Sequence, residues 1–361
     1  MAGLSSLVTL ALTVLLILQH QSIMQANGAC TSYYTVKSGD ICYNIAQTYG
    51  IDVATLQSYN PGLQCDNLQI GQQLCVADDG QTPVPSPPTG NGKIFEEYIG
   101  AMWNGVKFSN VPVNDAIDTF NFILAFAIDY TQDGSASTNG QFSTFWDSSL
   151  TPDNVKAIKA QHSNVKVMVS LGGDTVHSQY VYFNPTSVDL WVSNAVSSLT
   201  TIIQQYGLDG IDIDYEHFQS TNEQFASAIG QLITQLKNNN VISVATIAPF
   251  PNVQQQYSAL WSQYSSVIDY VNFQFYSYGE ITASDYVTYY GQAVSAFPGG
   301  KVLASFSTSN AGTSTTPSTA ISAAQQLQQS GNLAGIFIWC ADNSLDNFQY
   351  EQQAQSILVA N

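Results

Sequence analysis

The sequence predicts an α/β protein: a (β/α)8 barrel with a small βααβ module ahead of it. Three observations point there. Across 94–361, eight strand-like runs alternate with helical or loop segments, the pattern of parallel βαβ units. Between 77 and 93 apolar periodicity disappears and prolines alternate with small polar residues, as in a semi-rigid linker. Ahead of that linker, four of the five cysteines, Cys30, Cys42, Cys65 and Cys75, crowd into 30–76. Such clustering is the mark of a domain too small to be held by a core alone, stapled by two disulfides. A length of 361 residues accommodates both parts.

Taken in order, residues 1–28 carry no Asp, Glu, Lys or Arg, and their apolar run, 7–18, is roughly half of what a membrane span needs. The segment reads as a secretory signal peptide in preference to a buried helix, with Ala26, Gly28 and Ala29 leaving the cleavage position open. No later run reaches transmembrane length, so the expected product is secreted, extracellular and not membrane-bound.

The module at 30–76 opens with the β-prone Tyr33-Tyr34-Thr35-Val36 and the turn Lys37-Ser38-Gly39-Asp40. Helical spacing follows at Ile41, Ile45 and Tyr49. A second short helix over 52–59 is closed by Asn60-Pro61-Gly62, and Leu68-Gln69-Ile70-Gly71-Gln72-Gln73-Leu74 alternates like a returning strand. These residues, Tyr34 to Asp40, Ile45-Ala46, Asn60-Pro61 and Leu68 to Gln72, resemble a LysM domain along its full length. The resemblance implies binding of chitin or peptidoglycan through N-acetylglucosamine units. By position it places the groove between two loops, with Gly39, Asp40, Ile41 and Tyr43 on one side and Asn60, Pro61 and Leu63 on the other. Turn chemistry alone would also account for Asn60-Pro61-Gly62 and Ser38-Gly39-Asp40. Four cysteines allow three pairings, and all three stay open. Cys340, inside an apolar run, reads as a buried free thiol.

Beyond the linker, the strand-like runs are 95–102, 120–130, 165–173, 210–216, 241–250, 270–278, 301–309 and 335–341, and the clearest helices are 152–161, 186–206, 222–238, 316–331 and 346–358. Pro152 and Pro317 fall at helix starts, where a missing amide hydrogen costs least. No Gly-x-Gly-x-x-Gly follows the first strand, which removes the main reason to prefer an open dinucleotide-binding sheet over a closed TIM barrel.

The formal charge is −18 with only 8 basic residues, which disfavours nucleic acid as a partner. Charged residues make up 9% of the chain, and the abundant Gln, Ser, Asn, Thr and Tyr suit an uncharged polyhydroxylated ligand.

The chemistry concentrates in Asp209-Gly210-Ile211-Asp212-Ile213-Asp214-Tyr215-Glu216. Side chains on a strand alternate, so Asp212, Asp214 and Glu216 share one face and Ile211, Ile213 and Tyr215 the other. In a barrel the acids point into the lumen, with Glu216 nearest the carboxyl end, where barrel active sites lie. Like charges so close cannot all ionise; at least one acid must keep its proton, which makes an acid able to protonate a leaving group at mild pH. A metal site is the bland alternative, but three acids from one strand without a histidine cluster make a poor cage. By strand parity His217 faces away from Glu216, while His162 and His177 read as loop residues.

The signature Asp-Gly-x-Asp-x-Asp-x-Glu resembles family 18 of the glycoside hydrolases at every fixed position. Lys166 to Gly173 on the third strand, Asn272-Phe273-Gln274-Phe275-Tyr276 on the sixth and Ile338-Trp339 on the eighth extend the likeness over the barrel. Glu97-Tyr98-Ile99-Gly100-Ala101 and Phe122 to Tyr130 make it most similar to plant class III chitinases of the bulb-type branch, and the LysM module to chitinases of ferns. That resemblance implies a retaining, substrate-assisted cleavage in which the sugar's own N-acetyl oxygen attacks. By it Glu216 is the acid, Asp214 orients the acetamido group and Asp212 buffers the proton of Asp214. Gln274 and Tyr276 hydrogen-bond that acetamido group, and Trp339 floors the sugar site. Aromatic residues on barrel strands are often core, so Gln274, Tyr276 and Trp339 have structural roles as their alternative. The expected partners are chitin and N-acetylglucosamine oligomers, acting on a monomer, with no cofactor and no metal. The competing readings are a non-catalytic lectin, an endo-β-N-acetylglucosaminidase acting on glycoprotein glycans, and a chitin-sensing protein. The intact acid row argues against the first and the last, and the LysM module argues against the second.

Overall fold

The computed structural model describes residues 30–37, 42–49, 51, 53–65, 68–78, 94–309, 314–344 and 347–360. Residues 1–28, expected as a signal peptide, residues 79–93, expected as linker, Gly39, Asp40, Ile41 and the side chain of Tyr43 lie outside the described residues. The chain divides into two units, Met1–Pro87 and Pro88–Asn361.

In the first unit, strands β1 (Cys30–Thr35) and β2 (Gln73–Asp78) pair antiparallel around helices α1 (Cys42–Thr48) and α2 (Val53–Tyr59), the βααβ order read from the sequence. Its core is small: Val36, Ile45, Ala46, Leu56, Leu74 and Val76 are buried. Two disulfides supplement it, Cys30–Cys75 joining the two strands and Cys42–Cys65 tying α1 to the chain after α2. Crosslinks of this kind stabilise mainly by restricting the unfolded chain. Strand β2 runs through Asp78, paired with Cys30, one residue past the expected start of the linker at 77. Cross-strand pairing there outlasts the apolar pattern from which the boundary was read.

The second unit contains eight parallel strands: β3 (Ile94–Ile99), β4 (Thr119–Ile128), β5 (Val165–Gly173), β6 (Gly210–Tyr215), β7 (Val244–Ile247), β8 (Tyr270–Val271), β9 (Ala304–Ser307) and β10 (Ile336–Trp339). Their order is β8-β7-β6-β5-β4-β3-β10-β9, and a parallel bridge between Val271 and Val302 joins the two ends. Val271 donates to the Lys301 carbonyl at 2.9 Å and accepts from Leu303 at 2.9 Å, which closes the curled sheet. Several expected strands are shorter in the structure, the fifth and the sixth most of all. Over 241–250 only Val244–Ile247 is regular, and over 270–278 only Tyr270–Val271. Asn272 and Gln274 still donate to the carbonyls of Ile247 and Pro249, but the chain then winds into a 3-10 turn over Phe275–Tyr278. That turn re-aims the residues at the mouth.

Helices cover the outside: α3 (Pro152–Gln161), α4 (Val188–Tyr206), α5 (Asn222–Asn238), α6 (Gln254–Tyr264), α7 (Ala283–Ala296), α8 (Pro317–Gln329) and α9 (Gln349–Val359). Thr151, Thr221, Thr282 and Thr316 cap α3, α5, α7 and α8 through their side chains, and Pro152 and Pro317 sit in the first turns as expected. Helices α6 and α7 escape the pattern reading because aromatic residues make up most of their buried faces, Tyr257 and Trp261 beside Leu260 in α6 and Tyr286 and Tyr290 beside Ala293 in α7. Tyr257 of α6 reaches the carbonyls of Ile213 and Tyr215, and Tyr286 of α7 bonds both the amide and the carbonyl of Ser305.

Strand alternation splits the interior. Ile211, Ile213 and Tyr215 pack outward beneath the helices. The lumen is filled by Tyr98, Ile123, Ala125, Met168, Val244, Leu303, Phe337 and Cys340, together with the buried polar Glu96, Asn121, Ser170, Asp212, Thr246 and Asn272. Cys340 is a buried free thiol.

Candidate active site

Strand β6 delivers the three acids into the lumen as a ladder. At its base Asp212 is fully buried and surrounded by donors. Tyr98 (2.9 Å) and Ser170 (2.6 Å) donate to Oδ2; Thr246 (2.6 Å) and, more distantly, Asn272 (3.4 Å) donate to Oδ1. These come from β3, β5, β7 and the segment after β8, so the barrel itself fixes the carboxylate. Burial raises its pKa and the four hydrogen bonds pull it back.

One layer up, Asp214 has one hydrogen-bond donor among the described residues, the Gln274 amide at 2.9 Å on Oδ1. Gln274 spends its other amide hydrogen on the Ala248 carbonyl at 2.9 Å, which locks its side chain in place. Burial, followed by the charges of Glu216, Asp212 and Asp174, holds Asp214 well above the usual carboxylate range. Glu216 closes the ladder, half-buried at the mouth. Burial and the negative Asp174 push its pKa up to about 7, against a lowering contribution from Gln274. The two upper acids therefore titrate as one pair. Tyr276 is half-buried, and burial with the neighbouring Asp214 and Glu216 keeps its hydroxyl protonated, a donor. Trp339 is also half-buried, with Tyr98 edge-on at 5.4 Å between ring centroids and Phe126 tilted against it at 5.8 Å.

Two glycines make the approach possible. Gly172 and Gly173 end β5 with φ of 102° and 83°, and a Cβ on them would meet the Tyr215 ring at 2.9 Å and the Phe126 ring at 3.1 Å.

The structure thus brings Asp212, Asp214, Glu216, Gln274, Tyr276 and Trp339 to one barrel. Sequence reasoning did not assign Tyr98, Ser170, Thr246 and Asn272 to the base of the ladder, although strand parity on Tyr98 and Ser170 would have found those two. It also passed over Asp174, the residue directly after the glycine pair. His217 leaves the parity of β6 because that strand ends at Tyr215; His217–Phe218 pair instead with Tyr182–Phe183. Its Nε2 lies 2.7 Å from Asp174 Oδ1, so it stands beside the group that acts on Glu216. In the small unit, Asn60 is spent internally: its amide bonds the Leu56 and Cys75 carbonyls and its oxygen the Cys75 amide, all at 2.7 Å. The Asn60 side chain thereby pins α2 to β2. Pro61 is exposed and Leu63 half-buried beside it.

A barrel whose carboxyl mouth holds a protonatable acid above a fixed carboxylate row defines an enzyme of general acid–base type, a glycoside hydrolase by the form of its acid row. Residues 103–332 match the glycosyl hydrolases family 18, and the chain belongs to that family; residues 34–77 match the LysM domain. The chain is 52% identical over 284 residues to Chitinase 1 of Tulipa saxatilis subsp. bakeri, covering 76% of this chain and 90% of that one. Among solved structures it resembles the catalytic domain of a family GH18 chitinase from the fern Peteris ryukyuensis, with 62% identity and a TM-score of 0.71 over 74% of this chain and 100% of that one. It also resembles a family 18 chitinase from Crocus vernus, with 50% identity and a TM-score of 0.72 at the same coverage.

Proposed function

We propose that the protein is a secreted, endo-acting chitinase that cleaves β-1,4 bonds between N-acetylglucosamine units with retention, using the substrate's acetamido group as nucleophile. The observation that carries the reading is the Asp214–Gln274–Glu216 arrangement: an acid with a pKa near 7 at the mouth, and beneath it a second acid whose Oδ1 accepts from Gln274 at 2.9 Å. Glu216 protonates the glycosidic oxygen. Asp214, its proton passed to Asp212 below, accepts a hydrogen bond from the acetamido N–H and turns the acetamido carbonyl oxygen toward the anomeric carbon. Tyr276 donates to the acetamido carbonyl, and Trp339 supports the ring. The same Glu216, now ionised, then draws the proton from the water that opens the intermediate. Likeness to three plant chitinases supports the substrate, and the disulfide-linked LysM unit supports both export and attachment to chitin.

The test is hydrolysis of an N-acetylglucosamine hexamer by the native protein and by Glu216→Gln, with anomer analysis. Initial β-anomers from the native enzyme, and binding without turnover in the variant, support the mechanism. Native protein that binds without cutting is a lectin; activity confined to glycoprotein glycans makes it an endo-β-N-acetylglucosaminidase.

A further inference from the structure

Beneath the acid ladder the lumen holds a fourth carboxyl that the mechanism above does not use. Glu96 lies on β3 two residues before Tyr98, so it shares the inward face and stands one layer nearer the amino end of the barrel. It is fully buried, as are Asn121, its register partner on β4, and Asn272, which follows β8. Asn121 Nδ2 donates to Oε1 and Asn272 Nδ2 to Oε2, both at 2.6 Å. The same Asn272 Nδ2 lies 3.4 Å from Asp212 Oδ1. One amide therefore serves both carboxyls, and through it Glu96 reaches the ladder.

Filling space does not account for an acid at this position, since a buried carboxyl costs more than an apolar side chain of its size. Its surroundings oppose its charge. Burial first, with the carboxylates of Asp212 and Asp269, pushes Glu96 up to about 8 against the pull of the two amides. Tyr98 and Tyr270 are the other titratable groups that feel it. Asp269 is itself held by Lys237 at 2.6 Å. Of the remaining bases nearby, Lys166 is in register with Asn121 and Lys301 stands over the Tyr270 ring, and neither is bonded to Glu96 among the described residues. At mild pH, then, Glu96 carries a proton, and that proton needs an acceptor. The side-chain oxygens of Asn121 and Asn272 are both buried without a hydrogen-bond partner among the described residues. Asn272 is held between two carboxyls, whereas the Asn121 side chain bonds Glu96 alone among the described residues. Turning the Asn121 amide over supplies the acceptor and leaves Asn272 in place.

We propose that Glu96 is a positioning residue for the reaction: as a neutral acid bonded to Asn121, it fixes the Asn272 amide on Asp212 and leaves Asp212 the ionised group that takes the proton from Asp214. This rests on the reading of Asp212 as that acceptor. A charged Glu96 competes for the shared amide and raises the proton affinity of Asp212 before substrate arrives.

The test follows turnover and the proton separately. On the N-acetylglucosamine hexamer at mildly acid pH, Glu96→Gln, which offers the one acceptor and the donor of a neutral acid, keeps kcat within about twofold of native. Glu96→Leu lowers kcat about fivefold with KM held. Asn272→Leu gives the same loss, and the double variant loses no more than either, because both act through one contact. In infrared difference spectra of the full chain, a protonated-carboxyl band is lost with a midpoint near pH 8 in the native protein and is missing from Glu96→Gln. Native kcat in the Leu variants overturns the inference, as does a loss in Glu96→Gln equal to that in Glu96→Leu, or a native spectrum without the band. Should Glu96→Leu fail to fold, Asn272→Leu and the infrared titration decide. Native protein that binds the hexamer without cutting removes the catalytic reading and the positioning role together; native turnover with unaffected Leu variants removes this inference alone.

Discussion

Glu216 and Asp214 differ by one strand layer, and the difference assigns their work. Glu216 stands where solvent and a leaving group can reach it, with a pKa near 7 that comes from burial first and the Asp174 charge second. A general acid must hold its proton, so kcat/KM on the hexamer is expected to fall as pH rises through about 7, read from an initial-rate pH profile. Asp174→Asn removes the second cause and should shift that alkaline limb downward; an unmoved limb would show that Asp174 exerts no influence through the Asp174–His217 pair. Glu216→Gln should lower kcat by about 10²–10⁴-fold with substrate affinity kept. Gln274→Leu should reduce turnover as well, since Asp214 then loses the donor that fixes Oδ1.

Single elements are organised to hold these groups still. Asp212 draws its four donors from four places around the barrel, so a small shift of one strand would break the set. The helices behind those strands are pinned by capping threonines and by tyrosine hydroxyls on strand backbones. Thr221→Ala, which removes the α5 cap, should cost about 1 kcal/mol in chemical denaturation without altering the pH profile. The LysM unit contributes on a different substrate. Removing the first 76 residues should depress action on solid chitin far more than on the soluble hexamer, because a linked binding module raises the local concentration of enzyme at a surface. Equal loss on the two substrates would refute that role.

Across the second unit, burial raises the pKa of several acids besides the catalytic pair. Burial pushes Glu96 up to about 8, and Glu97, Asp342 and Glu351 are raised as well. Both oxygens of Glu97 are buried without a hydrogen-bond partner among the described residues, and the carboxyls of Glu351 and Asp342 act on it. A carboxyl with a raised folded pKa binds its proton more tightly in the native than in the unfolded chain. It costs nothing below its ordinary pKa, and its contribution turns unfavourable from there until the folded pKa is passed. Calorimetric Tm should therefore be highest near the ordinary carboxylate range, about pH 4–5, and decline toward pH 8. Glu97→Gln should raise Tm at pH 8 and leave it little changed at pH 4.5. A Tm that climbs steadily from acid to alkaline would contradict this assignment.

The sequence by itself determined the barrel class, the βααβ order of the small unit, the face shared by Asp212, Asp214 and Glu216, and the helix starts at Pro152 and Pro317. Each of these follows from a period or a backbone preference that a few neighbouring residues express. Tertiary structure alone decided what local pattern does not carry. It selected Cys30–Cys75 and Cys42–Cys65 from three pairings, turned the inner end of Asn60 into a brace, shortened β7 and β8, and recruited Tyr98, Ser170, Thr246 and Asn272 to one carboxylate. Those contacts join residues far apart in the chain, and the distance between such residues is set only when the sheet closes on itself.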